Sequence, residues 1–178
     1  MMNAVLVIDM LRGFCEEGFP LYCGEEVRKI IPKIQKLLED ELRKGAKIFF
    51  ICDAHDPEDA EFQMFPPHCI KGTAEAEVIP ELSKYPGEII PKKRFSGFYK
   101  TELEEKLNAL HPEKLVICGV CTDICVLYTV ADARFRNYKV EVVRDCVLGT
   151  SPQAHEFALR HMERVLGAEI STLEERSG

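Results

Sequence analysis

The chain has 178 residues, 46% apolar and 30% charged, with Lys plus Arg at 23 against Asp plus Glu at 30 for a net charge of −7. That length suits one domain, able to bury roughly 70% of the surface its unfolded chain exposes and so to fold without a disulfide or metal staple. The acidic balance argues against nucleic acid and anionic membrane surfaces as partners, and no apolar run is long enough to span a bilayer.

The first nine residues carry no basic region and reach Asp9 too early for a secretory leader. They read as a first strand over 4–8, and the expected location is the cytoplasm. A helix follows over 31–44, with Ile34, Leu37, Leu38 and Leu42 on one stripe. Gly45 is its stop, and Pro32 is expected in its first turn after a separate short turn. Further strands are read at 46–52, 88–90, 115–120 and 140–143, with an edge strand at 169–171. Thr101-Glu102-Leu103-Glu104 has the form of a capping box opening a helix to residue 110. Another helix is read over 122–136, and a last one from Ser151-Pro152 to about 166, ended by Gly167. This alternation predicts an α/β fold: one Rossmann-like domain over 1–178, mainly parallel, with helices on both faces. The irregular stretch is 53–100, which holds most of the prolines; such segments in small domains are usually functional.

In an open parallel sheet, ligands bind beyond the carboxyl ends of the strands. Asp9 follows the first strand, Asp53 and His55 the second, Lys92 and Lys93 the third, Cys121 and Cys125 the fourth. Acid, imidazole, amine and thiol are thus delivered to one edge. Thr122 reads as an N-cap, which places Cys125 in a first helical turn, where backbone N–H groups favour thiolate and can receive an oxyanion. An arbitrary cysteine is more often a buried structural thiol, and Asp9 or a lysine alone could be a solvated strand end. Asp53 and His55, with His68 after Pro66-Pro67 and Glu61 in the same loop, suit zinc, iron or manganese. Asp56, Glu58 and Asp59 are read as a solvated acidic face. Cys118, Cys121 and Cys125 resemble a metal set only in spacing, since Cys118 lies inside a strand. The eight cysteines otherwise read as reduced, mostly buried thiols. The basic and aromatic run 92–100 resembles a single-strand binder, a reading the acidic whole argues against.

Val7-Ile8-Asp9-Met10 with Phe14, Lys92-Lys93-Arg94-Phe95-Ser96-Gly97-Phe98, and Gly119-Val120-Cys121-Thr122-Asp123-Ile124-Cys125-Val126 together resemble the isochorismatase-like cysteine hydrolases. Phe65-Pro66-Pro67-His68-Cys69-Ile70-Lys71-Gly72-Thr73 is similar to the metal segment of the nicotinamidases within that family. The departures are Phe95 for Tyr, Gly97 for Ala, and Cys121 where Ala, Val or Leu is commoner. The resemblance implies Asp9, Lys92 and Cys125 as catalytic residues, Lys92 rather than Lys93 being four residues before Ser96. It implies one divalent ion, zinc first and iron or manganese otherwise, on Asp53, His55, Glu61 and His68. Backbone N–H groups of Cys121 and Cys125 would form the oxyanion site beside a cis Val120–Cys121 peptide. Phe14, Phe65 and Phe95 would contact the substrate ring. The implied reaction converts nicotinamide to nicotinate and ammonia in NAD salvage, in a homo-oligomer with no nucleic-acid or membrane partner. The alternatives are a same-fold amidohydrolase acting on a carbamoyl or ureido compound, and a non-catalytic member that binds metal or a partner.

Overall fold

Every residue of Ala4–Ile8 (β1) is buried, which a strand satisfies at the centre of a sheet covered on both faces. A computed structural model describing residues 1–177 shows that cover. After β1 come Arg12–Cys15 (α1), Glu25–Arg43 (α2), Lys47–Asp53 (β2), Pro80–Ser83 (α3) and Glu88–Lys92 (β3). Leu103–Leu110 (α4), Leu115–Val120 (β4), Leu127–Phe135 (α5), Val140–Leu148 (β5), Pro152–Arg164 (α6), Glu169–Ser171 (β6) and Leu173–Ser177 (α7) complete the order. The strands form one sheet, β3-β2-β1-β4-β5-β6, with every neighbouring pair parallel.

Alternate strand residues face opposite layers, as a two-residue side-chain period requires. Val5, Val7, Ile48, Phe50 and Val116 pack with Val27, Ile34 and Leu38 of α2 on one face. Leu6, Ile8, Phe49, Ile51 and Ile117 pack with Leu107 of α4, Val130 of α5 and Met162 of α6 on the other. β1 and β4 approach so closely that a Cβ on Gly119 would lie 2.0 Å from the Ile8 carbonyl oxygen, and Gly119 has φ of 117°. Only glycine fits both conditions.

Four expectations are corrected. Pro32 lies inside α2, which starts at Glu25; burial of Val27, Ile30 and Ile31 outweighs the missing N–H, worth about 3 kcal/mol. The capping box forms only in part: the Thr101 hydroxyl accepts the Leu103 N–H at 3.2 Å while donating to the Gly97 carbonyl at 2.5 Å, but Glu104 is drawn to Arg136. Residues Thr122–Val126 are wound as a π turn before α5, with the Val126 N–H bonded to the Cys121 carbonyl at 3.1 Å. Thr122 is therefore no cap; its hydroxyl pairs with His155 Nδ1 at 2.8 Å. β5 continues to Leu148, because a register shift lets Val147 and Leu148 pair with Gly119 and Val120 after the polar Arg144-Asp145 interruption. Ser151 does cap α6, accepting the Ala154 N–H at 3.0 Å. All eight cysteines are unpaired, and among the described residues no helix is long and apolar enough to cross a membrane.

Candidate active site

The strand order reverses direction between β1 and β4, the place where such sheets open a cleft at their carboxyl ends. Asp9 leaves β1 there with φ of 53°, an uncommon backbone for a residue with a Cβ. Its N–H is held by the Ile51 carbonyl at 2.8 Å, and its Oδ1 accepts the Asp53 N–H at 2.9 Å. The β2–β3 register sets Asp53 directly against Lys92. The buried Lys92 ammonium donates to Asp53 Oδ1 at 2.5 Å, to the Arg94 carbonyl at 3.0 Å and to Cys125 Sγ at 3.4 Å. An ammonium has three N–H bonds, and these contacts use them. Lys92 Nζ is also 3.0 Å from Asp9 Oδ2, yet that oxygen has no well-directed hydrogen bond. The ammonium charge is in direct range of the Asp9 carboxylate. Lys93, the neighbour, is exposed and pairs with Asp56 at 2.7 Å.

Burial dominates the electrostatics here. It pushes the Cys125 thiol well above its ordinary range; Lys92 pulls it back only partly, and Asp9 and Asp53 add to the rise. Desolvation thus works against the thiolate that a helix end favours. The thiol and the Asp9 carboxylate both lie against the Lys92 ammonium, Sγ at 3.4 Å and Oδ2 at 3.0 Å. Burial and the Asp53 charge raise Asp9 to about 6, against the pull of Lys92. Burial would lower Lys92, but the charges of Asp53 and Asp9 hold it firmly protonated. A carboxylate lifted above the ordinary aspartate range is a stronger acceptor for the thiol proton than a solvated aspartate would be.

The other Asp53 oxygen faces a second group. Asp53, His55, Glu61 and His68 are all buried, and one donor atom from each lies within 4.8 Å of every other. His55 Nε2 is 3.5 Å from Asp53 Oδ2 and 3.3 Å from Glu61 Oε2; His68 Nε2 is 3.7 Å and 3.3 Å from the same two oxygens. Nitrogen and oxygen donors bonded at about 2.1 Å to one tetrahedral ion lie about 3.4 Å apart. Both rings turn Nε2 inward because Nδ1 is engaged outside, by Asp59 Oδ2 at 3.0 Å and by the Pro66 carbonyl at 2.8 Å. His55 Nε2 has no hydrogen-bond partner of its own despite being buried. Burial would lower both imidazoles, but the carboxylates lift His55 to about 10 and His68 to about 9. Two acids, two inward nitrogens and an orphaned buried donor fit a divalent ion.

A cavity of about 340 Å³ joins the two groups: Asp53, Glu61, His68 and Cys125 all line it. Phe14, Phe65 and Phe95 line it too, with the Phe65 ring 6.2 Å from Phe95 and 6.3 Å from His68. Cys121 is part of the wall, and the Val120–Cys121 peptide is cis. Sequence reading missed Tyr22 and Cys23 in that wall, since the loop before α2 has no periodicity. It also missed Phe62, whose ring meets His55 and His68 edge-on at 5.3 and 5.4 Å. Asp59 is corrected: Asp56 and Glu58 are exposed, but the Asp59 side chain is only 3% exposed.

The isochorismatase domain family model matches residues 3–175. The chain belongs to the isochorismatase family. A solved member of similar form, nicotinamidase PncA from Bacillus subtilis, superposes with TM-score 0.89 at 33% identity, covering 96% of this chain and 99% of its own. Pyrazinamidase of Pyrococcus horikoshii, solved in complex with zinc, gives TM-score 0.87 at 33% identity over 97% and 100% of the two chains. Ureidoacrylate amidohydrolase RutB from Methylorubrum extorquens is 38% identical over 192 residues, 93% of this chain and 77% of its own length. This isochorismatase-family chain is accordingly an amidohydrolase, with relatives that differ in the amide they are named for.

Proposed function

We propose that the protein is a metal-dependent nicotinamidase, releasing nicotinate and ammonia as a step of NAD salvage in the cytoplasm. The observation that carries this reading is the shared cavity: the Asp53–His55–Glu61–His68 group and the Cys125 thiol open onto one aromatic-walled space. When bound, the divalent ion supplies an electrophilic centre for a ring nitrogen. Phe14, Phe65 and Phe95 then sandwich or edge the ring, leaving its carboxamide at Cys125.

Asp9 Oδ2 accepts the Cys125 proton as sulfur attacks the carboxamide carbon. Backbone N–H groups of Cys121 and Cys125 receive the oxyanion. Asp9 returns the proton to the leaving nitrogen, so ammonia departs and a thioester remains. Asp9 then draws a proton from water as its oxygen adds to the thioester and hands that proton to the departing sulfur, which restores the thiol and frees the acid, ionising to nicotinate in solvent. Lys92 keeps Asp9 oriented and lowers the cost of its charge between these transfers.

The likeness to RutB favours a second reading, hydrolysis of a ureido amide. A substrate panel separates them. Nicotinamide is expected to exceed benzamide, which lacks only the ring nitrogen, by at least about 10³-fold in kcat/KM, as for a site built around one polar group. Equal turnover of the two removes the ring-orienting role, and preference for ureidoacrylate moves the assignment to the second reading.

A further inference from the structure

Asp59 makes more directed contacts than any other acid of its loop, and none of them is to substrate. Its Oδ2 is 3.0 Å from His55 Nδ1, and its Oδ1 accepts the Glu61 N–H at 2.8 Å, capping the 3-10 turn Ala60–Gln63. Arg94 Nη1 sits between the two oxygens at 2.9 and 3.1 Å. The Arg94 carbonyl in turn accepts from Lys92 Nζ.

We propose that Asp59 is the positioning residue of the metal group, setting two ligands with one carboxylate. Accepting from Nδ1–H keeps the proton on that nitrogen, so the His55 Nε2 lone pair faces Asp53 and Glu61. Capping the 3-10 turn fixes where the Glu61 side chain leaves the backbone. Arg94 holds the carboxylate in the plane that serves both, and its own backbone holds Lys92. Each oxygen has a separate donor. An asparagine at this position turns an oxygen to one donor and an N–H to the other, so it must release either His55 or Glu61. Partners that orient a metal-bound histidine typically carry 10–100-fold in affinity. The inference rests on the metal reading above.

The test uses Zn2+ alone. Affinity is measured on metal-free protein by competition with a chromophoric chelator, for wild type, Asp59→Asn, Arg94→Gln and Glu58→Gln. Asp59→Asn is expected to weaken Zn2+ binding by about 10–100-fold. Arg94→Gln should weaken it by a smaller factor, and Glu58→Gln, an exposed acid of the same loop, should leave it unchanged. Imidazole 15N shifts of the zinc-loaded wild type should show His55 protonated at Nδ1 and ligated through Nε2, a signature that loop loosening alone does not create. Wild-type affinity in Asp59→Asn, or ligation of His55 through Nδ1, overturns the proposal while leaving the metal reading standing. Wild type that binds no Zn2+ overturns both. If Asp59→Asn does not fold, wild-type affinity in Arg94→Gln overturns it.

Discussion

Lys92 and Lys93 are adjacent and carry the same charge, yet one is buried among Asp9, Asp53 and Cys125 while the other pairs with Asp56 at the surface. Net electrostatics cannot tell them apart; position can. Lys92→Ala is expected to lower kcat by at least about 10²-fold, and Lys93→Ala to stay within a few-fold, in steady-state kinetics of amide hydrolysis. Equal losses would mean the register is misplaced. Most of this site was legible because strand ends are legible: Asp9, Asp53, Lys92 and Cys125 each follow an apolar run. Asp59 was not, because a run of acids reads as one solvated face and nothing local says which member turns inward. The effect of burial on Cys125 was also hidden, since a helix-end argument does not see desolvation.

Strands were read from apolar runs, so β1, β4 and β6 were found with their observed bounds while β2, β3 and β5 were cut short where proline or polar residues continue the ladder. β2 and β3 extend to Asp53 and Lys92, polar residues that belong to the ladder because each is the other's partner. The π turn at Thr122–Val126 was invisible too, because no side-chain cap marks it and it is defined by a backbone bond from the Val126 N–H to the Cys121 carbonyl. Gly119 is where the element geometry is least forgiving. Gly119→Ala must separate β1 from β4 or bend the chain, and more than about 4 kcal/mol of stability should be lost, read from the denaturant midpoint. A second test lies at the far end of the sheet. Arg176 of α7 bonds Glu41 of α2 at 2.7 Å and also bonds Glu141 of β5, both carboxylates buried. Arg176→Ala leaves them short of a cation and should cost about 2–4 kcal/mol. Burial would raise Glu141, but Arg176, Lys114 and Ser171 hold it below the ordinary glutamate value of 4.5. Its stabilisation is therefore complete above that value and lost as pH falls through the folded one. The gap between wild type and Arg176→Ala in urea midpoint should narrow from pH 7 to pH 4.

The molecule as a whole is a sheet whose central strands are wholly apolar and whose carboxyl edge is not. Order β3-β2-β1-β4 brings four strand ends to one side, so a single fold gathers a carboxylate, a lysine, a thiol and an Asp-His-Glu-His group that could hold a metal. Asp53 belongs to both halves, with one oxygen on Lys92 and the other facing the two imidazoles. The α/β architecture was readable from the alternation of patterns along the chain. Which loop closed over which strand end was not, because contacts such as Phe62 on His55 join residues without periodic spacing. The most direct measurement is ammonia release from nicotinamide by zinc-loaded protein, comparing wild type with Cys125→Ala and Cys121→Ala. Wild type is expected to release ammonia and nicotinate in equal amounts, Cys121→Ala to keep substantial activity, and Cys125→Ala to release none above background. No release by loaded wild type, or release that survives loss of Cys125, would contradict it.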